Sequence, residues 1–266
     1  MRTILGNVIA IFRKELQGYL ASPLAYIIAT LFWLLAGYFF VTLLLGPGGV
    51  LQRAAQLEQQ GANAPAVDVA SQFLTTFLRQ LGGLILFVLP VLSMGTYTEE
   101  RKRGTLELLA TSPVTNWAVA LGKLLGAIAF FTVMVLPLFA YQAVVLRGAE
   151  PPLPWHIPLL ANAALILLAA AILSLGLFVS SLTSSTTLAA IGTFALVLLL
   201  WVADSIAQNV GGPLGDLLSH LSLLQHYQDL VQGVVSAGSI AMLVSYILLG
   251  LFLTAQSIDI LRFARR

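Results

Sequence analysis

Six apolar runs dominate this 266-residue chain, at residues 24–45, 81–97, 119–145, 157–182, 188–203 and 240–258. A helix that crosses a bilayer needs about 20 mainly apolar residues. Each run comes near that length, the fifth being the shortest. Only 9% of the chain is charged and 59% is hydrophobic, whereas soluble domains carry roughly 25% charged residues. A soluble core is therefore excluded. The ten-residue alternation of a membrane β-barrel is absent, so helices must satisfy the backbone within the hydrocarbon. The expected fold is an all-α integral membrane protein, a single transmembrane domain over residues 1–266.

The placement of charge sets the expected orientation. With six spans and both ends on one side, that side carries Arg2, Arg13, Lys14, Arg101, Lys102, Arg103, Lys123, Arg262, Arg265 and Arg266. The other side carries Arg53, Arg79 and Arg147. Ten against three puts both termini in the cytoplasm, because Lys and Arg are retained there. The net charge of +2 gives no reason to expect a nucleic-acid partner. With no cysteine, disulfides and thiolate chemistry are excluded. Arg13, Lys14 and Glu15 interrupt the apolar pattern before a signal-like core forms, so no cleavable leader is expected.

Residues 3–20 read as an amphipathic helix at the membrane interface. Ile4, Val8, Ile11, Phe12, Leu16 and Tyr19 share one face, with Arg2, Arg13 and Gln17 opposite. Glu15 falls within the apolar face. It either snorkels or pairs with a nearby Lys or Arg, or it touches another protein. Ser22-Pro23 ends this helix and starts the first span. Gln52 to Gln60 read as a short surface helix in the first outside loop.

Between the second and third spans lies the densest charge in the chain: Glu99, Glu100, Arg101, Lys102 and Arg103. Gly104-Thr105-Leu106-Glu107-Leu108-Leu109 follows, and Pro113 closes the segment. A short helix over 104–112 is expected to lie across the membrane plane. Leu106, Leu108 and Leu109 would face the membrane and Glu107 the cytosol. The bland alternative is a solvated, positive-inside anchor. On the fourth span, Ala170 with Ser174 and Gly176 with Ser180 put small residues four apart, which permits close helix packing or lines a path. Residues 204–239 contain Asp204, Asp216, His220, His226 and Asp229 but no Lys or Arg. Their short apolar stretches fit helices that dip into the outer leaflet and return.

Enzyme signatures are missing. There is no phosphate-binding Gly-x-x-x-x-Gly-Lys-Ser/Thr loop, no His-Glu-x-x-His and no Gly-x-Ser-x-Gly. His220 and His226 with Asp216 or Asp229 match no standard metal-ligand spacing. No catalytic residue, metal site or bound cofactor is expected. No charge sits securely in mid-span, which weakens a proton-coupled transporter.

Three stretches carry a family resemblance. They are Phe12-Arg13-Lys14-Glu15-Leu16 with Ser22-Pro23-Leu24-Ala25-Tyr26, then Glu99 through Leu109 with Ser112-Pro113 and Gly122-Lys123, and finally His226-Tyr227-Gln228-Asp229-Leu230 with Gly233-Val234-Val235. Together they resemble the permease subunits of type-2 ABC exporters, and the branch that includes the gliding-motility permeases. The resemblance implies an interface helix over 3–20 and a coupling helix over 104–112, resting in a cleft of a cytosolic ABC ATPase. It implies docking through Glu99, Glu100, Arg101, Arg103, Gly104, Thr105, Leu106, Glu107, Leu108 and Pro113, and through Phe12, Arg13, Lys14 and Glu15. ATP and Mg would bind the partner ATPase. A second permease copy or paralogue and a bacterial inner membrane are also implied. The rival reading is a scaffold or mechanotransmission subunit that works with an ABC ATPase and a periplasmic partner without translocating a substrate. The substrate itself is not legible.

Overall fold

The computed structural model describes residues 2–60, 69–105, 114–148, 153–210, 212, 220–233 and 236–263. Outside them fall residues 106–113, and with them most of the expected coupling helix, as well as Pro151, Pro152, Asp216, Val234, Val235, Arg265 and Arg266. The described elements are all helical: α1 (Arg2–Ala21), α2 (Pro23–Leu45), α3 (Val50–Gln60), α4 (Val69–Ser93), α5 (Gly95–Lys102), α6 (Asn116–Arg147), α7 (His156–Leu182), α8 (Thr186–Val210), α9 (Leu223–Val231) and α10 (Ala237–Phe263). Among the described residues, six helices are long and apolar enough to cross a membrane. They correspond to the six runs in the sequence. The chain is a multi-pass membrane protein.

Helix boundaries follow local chemistry. Pro23 occupies the first turn of α2, where its missing N–H costs nothing. Thr115 caps α6, its side chain accepting from the Ala118 N–H. The helix that carries the second apolar run begins at Val69, well before the run itself at 81. Gln72, Thr75, Arg79 and Gln80 lower the hydropathy there. Phe73, Leu74, Phe77, Leu78 and Leu81 nevertheless repeat at helical spacing, and all are buried. The fifth span likewise continues as helix to Val210, into the segment expected to re-enter the outer leaflet.

α7 is the axis of the bundle. Of the most apolar stretch in each span, 72% of α7 is buried within the chain, against 22% for the α2 span and 17% for the α8 span. Small residues bring its neighbours close. A Cβ on Gly250 of α10 would stand 2.6 Å from the Ser174 carbonyl carbon, and one on Gly176 would stand 2.2 Å from Ser93 Oγ. The small-residue spacing on the fourth span therefore serves helix packing. On α9, the buried Tyr227 ring lies against Gly82 of α4, and its hydroxyl donates to the Leu78 carbonyl at 2.7 Å.

The second span is interrupted near its charged end. Pro90 has no N–H to give to the preceding turn, and regular helix stops at Ser93 and resumes at Gly95. Ser180 of α7 fills the gap. Its Oγ accepts from the N–H groups of Tyr97 (3.0 Å) and Thr98 (3.3 Å) and donates to the Met94 carbonyl (3.1 Å). One hydroxyl thus satisfies backbone groups that have no water to turn to.

Candidate functional site

The charged cluster is built on α5 and folded back onto α1 and α6. Gly104 (φ +71°) adopts the left-handed conformation that lets a chain leave a helix. The Thr105 N–H then donates to the Glu100 carbonyl at 3.0 Å. Gly104 and Thr105 therefore close α5, where the sequence reading had them open the next helix. The remainder of that expected helix, including Leu106, Glu107, Leu108 and Pro113, lies outside the described residues.

α1 reaches this cluster through a groove in α6. Gly122 and Gly126 lie four apart, so both face the same side of α6. A Cβ on Gly122 would meet Ile11 side-chain atoms at 2.8 Å, and one on Gly126 would meet Glu15 Cβ at 2.7 Å. Farther along, Tyr19 stacks on Phe130 with ring centroids 5.2 Å apart. The apolar face read from the sequence is thus largely spent on α6. Arg13 and Gln17 are exposed, on the face the sequence period put opposite the apolar one, and Lys14 beside them is exposed too.

Lys123 is the centre of the site. Its side chain is only 2% exposed, yet it meets two carboxylates from two different elements. Nζ lies 2.9 Å from Glu15 Oε1 of α1 and 3.0 Å from Glu100 Oε1 of α5. It also donates to the Thr96 carbonyl at 2.9 Å, beside the break in the second span, and sits 4.9 Å above the Tyr97 ring. Lys14 closes the network from outside, donating to Glu100 Oε1 at 2.8 Å. Two lysines and two glutamates balance. That balance is what allows a lysine to be buried at all. Glu15, the misfit of the amphipathic face, is an intramolecular partner.

The remaining flank is more loosely held. Arg101 Nη1 donates to the Ser181 carbonyl at the end of α7 (3.0 Å). Arg103 faces Glu99 at 3.6 Å on the exposed side of α5. Phe12 is half-buried against α6. Glu15, Lys14, Glu99, Glu100 and Arg103 thus meet around one junction, while Arg13 stands apart on the surface. On α1, burial opposes the charge of Lys14, but the bond and the charge of Glu100 outweigh it and raise its pKa above the ordinary amine value. Burial pushes the Tyr19 hydroxyl up to about 12.

Sequence reasoning treated Lys123 as a charge near a span start and missed its burial. The available signal was Gly122-Lys123-Leu124-Leu125-Gly126, a small-residue groove with a cation inside it. A second junction, where the Asn116 amide donates to Asp259 Oδ1 between α6 and α10, carried no comparable signal. At the other end of the bundle, the two ring nitrogens of His226 lie 3.1 Å from Ser239 Oγ and 3.0 Å from the His220 carbonyl. Among the described residues, no group of three or more His, Asp or Glu side chains is arranged to hold a metal.

No curated protein matches the chain. A family profile described as "ABC-2 family transporter protein" matches residues 9–266, from within α1 through all six apolar helices. The chain belongs to the ABC-2 transporter family, whose members are membrane subunits of ABC transporters that generally work with a separate ATPase subunit.

Proposed function

We propose that the chain is the permease of an ATP-driven exporter, with 99–113 and α1 as the surface that docks a cytosolic ABC ATPase. The observation that carries this reading is the shared lysine. Lys123 joins the amphipathic helix, the charged flank and the third span through one buried network. A displacement of the loop after α5 cannot then leave α1 or α6 unaffected, because separating either carboxylate from Lys123 leaves a buried charge uncompensated. Rigid helices on both sides of the loop transmit such a push.

In the same reading the termini are cytoplasmic, in a bacterial inner membrane. Two permeases, identical or related, form the functional pair. The low burial of α2 and α8 within one chain supports a further neighbour on that side. The likeness of the three sequence stretches to the gliding-motility branch supports a bacterial setting and leaves room for a periplasmic companion.

The test is purification of the tagged chain in mild detergent, with mass spectrometry of what accompanies it. An ABC ATPase in near-equal amount is expected, and Glu107→Lys should reduce that amount while the chain still inserts. Full ATPase recovery with Glu107→Lys would remove the loop from the docking surface. Recovery with no ATPase, even after gentle crosslinking, would overturn the reading. An ATPase and a periplasmic companion that hydrolyse ATP without moving any cargo would turn it into mechanotransmission.

A further inference from the structure

Between Glu150 and Asp204 the chain carries no Asp, Glu, Lys or Arg. The α7–α8 hairpin therefore turns beside α5 without a charge of its own. The last four carbonyls of a helix have no partner within it, and they form the negative end of its dipole. At the end of α7, Thr183 is extended (φ −127°, ψ 158°), so no further helical turn covers those carbonyls. The cation comes from another element. Arg101 Nη1 of α5 donates to the Ser181 carbonyl at 3.0 Å, one residue before α7 ends at Leu182.

Arg101 is turned inward. Glu99, Lys102 and Arg103 are exposed, whereas Arg101 is half-buried. Its neighbour Glu100 lies about 100° round the helix and meets Lys14 and Lys123 instead. One turn back along α5, Ser180 bonds the backbone of Tyr97, Thr98 and Met94. The consecutive residues Ser180 and Ser181 thus hold α5 on one side, while α1 and α6 hold it through Glu100 on another. The turn between α7 and α8 is short and bonded within itself. The Ser185 N–H donates to Thr183 Oγ1 at 3.1 Å, and Ser185 Oγ accepts from the Leu188 N–H at 3.4 Å in the first turn of α8. What moves the end of α7 therefore moves the start of α8.

We propose that Arg101 is a positioning residue and not a docking one: it carries a displacement of the loop after α5 to the α7–α8 hairpin, a second output beside the one that Lys123 carries to α1 and α6. The inference rests on the proposed docking of an ATPase to that loop and reassigns one residue of its surface. Separating Arg101 from Ser181 takes both a donor and a cation from the carbonyl end of α7, and the uncharged hairpin offers no replacement. The three bonds of Ser180 keep the two elements in register while Arg101 pulls. A push on the loop thus reaches the fourth and fifth spans directly, without passing through the buried lysine.

The experiment is amide hydrogen exchange of the full chain with the ATPase that accompanies it, without nucleotide and with ATP and vanadate. In the wild type, α1 and residues 180–190 should both change exchange rate on trapping. Arg101→Gln should lower the change at 180–190, relative to that at α1 in the same complex, by about threefold or more. Arg101→Lys keeps the charge and should restore part of it. Ser184 is exposed, so Arg101→Gln with Ser184→Arg returns a cation to the end of α7 without a link to α5. This double variant should recover the unfolding midpoint and leave the response low, and it serves for the comparison should Arg101→Gln alone fail to fold. A response that returns in the double variant would make Arg101 a helix cap only. Equal loss at α1 and 180–190 would make it a docking residue. A wild type with no response at 180–190, or an undiminished one in Arg101→Gln, would take it out of the relay. Each of these overturns the inference and leaves the docking reading standing, whereas a wild type that brings down no ATPase overturns both.

Discussion

Around α7 the helices approach one another because side chains have been removed; at the junction of α1, α5 and α6 they approach because opposite charges have been added. Gly176 lets Ser93 sit where a Cβ would be, and Gly250 lets α10 touch the Ser174 backbone. No charge enters those contacts. At the junction, Gly122 and Gly126 open the groove, but Glu15, Glu100, Lys14 and Lys123 fix what fills it. Close packing in lipid is gained from dispersion and from short interhelical hydrogen bonds, here Ser174 Oγ donating to the Tyr246 carbonyl at 3.2 Å. A buried ion network has one register in which every charge is matched, and the cost of leaving that register is steep. The axis of the bundle is thus held by shape and the charged end by register.

That contrast is open to mutation. Lys123→Met should have the largest effect, since two carboxylates lose their buried partner. A loss of about 3–5 kcal/mol is expected, read as a lowered unfolding midpoint in detergent. Adding Glu15→Gln and Glu100→Gln to it should restore much of that loss; no recovery would mean that the lysine acts by packing and not by charge. On the shape side, Gly176→Leu should cost about 1–3 kcal/mol or more, because the new Cβ overlaps Ser93 and nothing nearby has room. Unlike the charge variant, it should not be rescued by any second change at the junction.

Ser180→Ala comes next. It leaves the Tyr97 and Thr98 N–H groups without their acceptor at the break in the second span, at about 1–3 kcal/mol. Faster amide hydrogen exchange confined to α5 would localise the effect there. Exchange that rose equally along α4 and α7 would show the hydroxyl to be a bundle contact only.

Lys14 should matter least. It is 66% exposed, and an exposed pair contributes about 1 kcal/mol at most. Its pKa is raised in the folded chain. Below the ordinary lysine value of 10.5, folded and unfolded chains both carry the charge and the contribution is complete. Above it the unfolded chain loses its proton first, so the stabilisation falls and is gone once pH passes the raised folded value. A small alkaline drop in stability that disappears in Lys14→Met is the expected signature, and an identical drop in the variant would assign it to another group.

Pro90 and Pro137 show where sequence reading stops. Both prolines sit inside apolar runs, and both were legible. Yet α6 continues through Pro137 for its full 32 residues, while the second span is interrupted after Pro90. At the end of the second span, Ser180, 83 residues away from Tyr97, adds hydrogen bonds to that backbone. The face of α1 was equally legible from its spacing. That the face meets the groove at Gly122 and Gly126, and that Glu15 in its middle meets Lys123, depends on residues more than 100 positions apart.

The sequence by itself determined six apolar runs long enough to span, the charged segment between the second and third, and the amphipathic period of the first helix. These follow from composition and period, because a bilayer allows so few backbone solutions. The tertiary structure decided that Lys123 is buried and shared, that Gly104 closes α5, and that the helix carrying the second apolar run starts at Val69. Each of these depends on which helix lies against which. Hydropathy is a sum over neighbours in the chain and carries no information about neighbours in space.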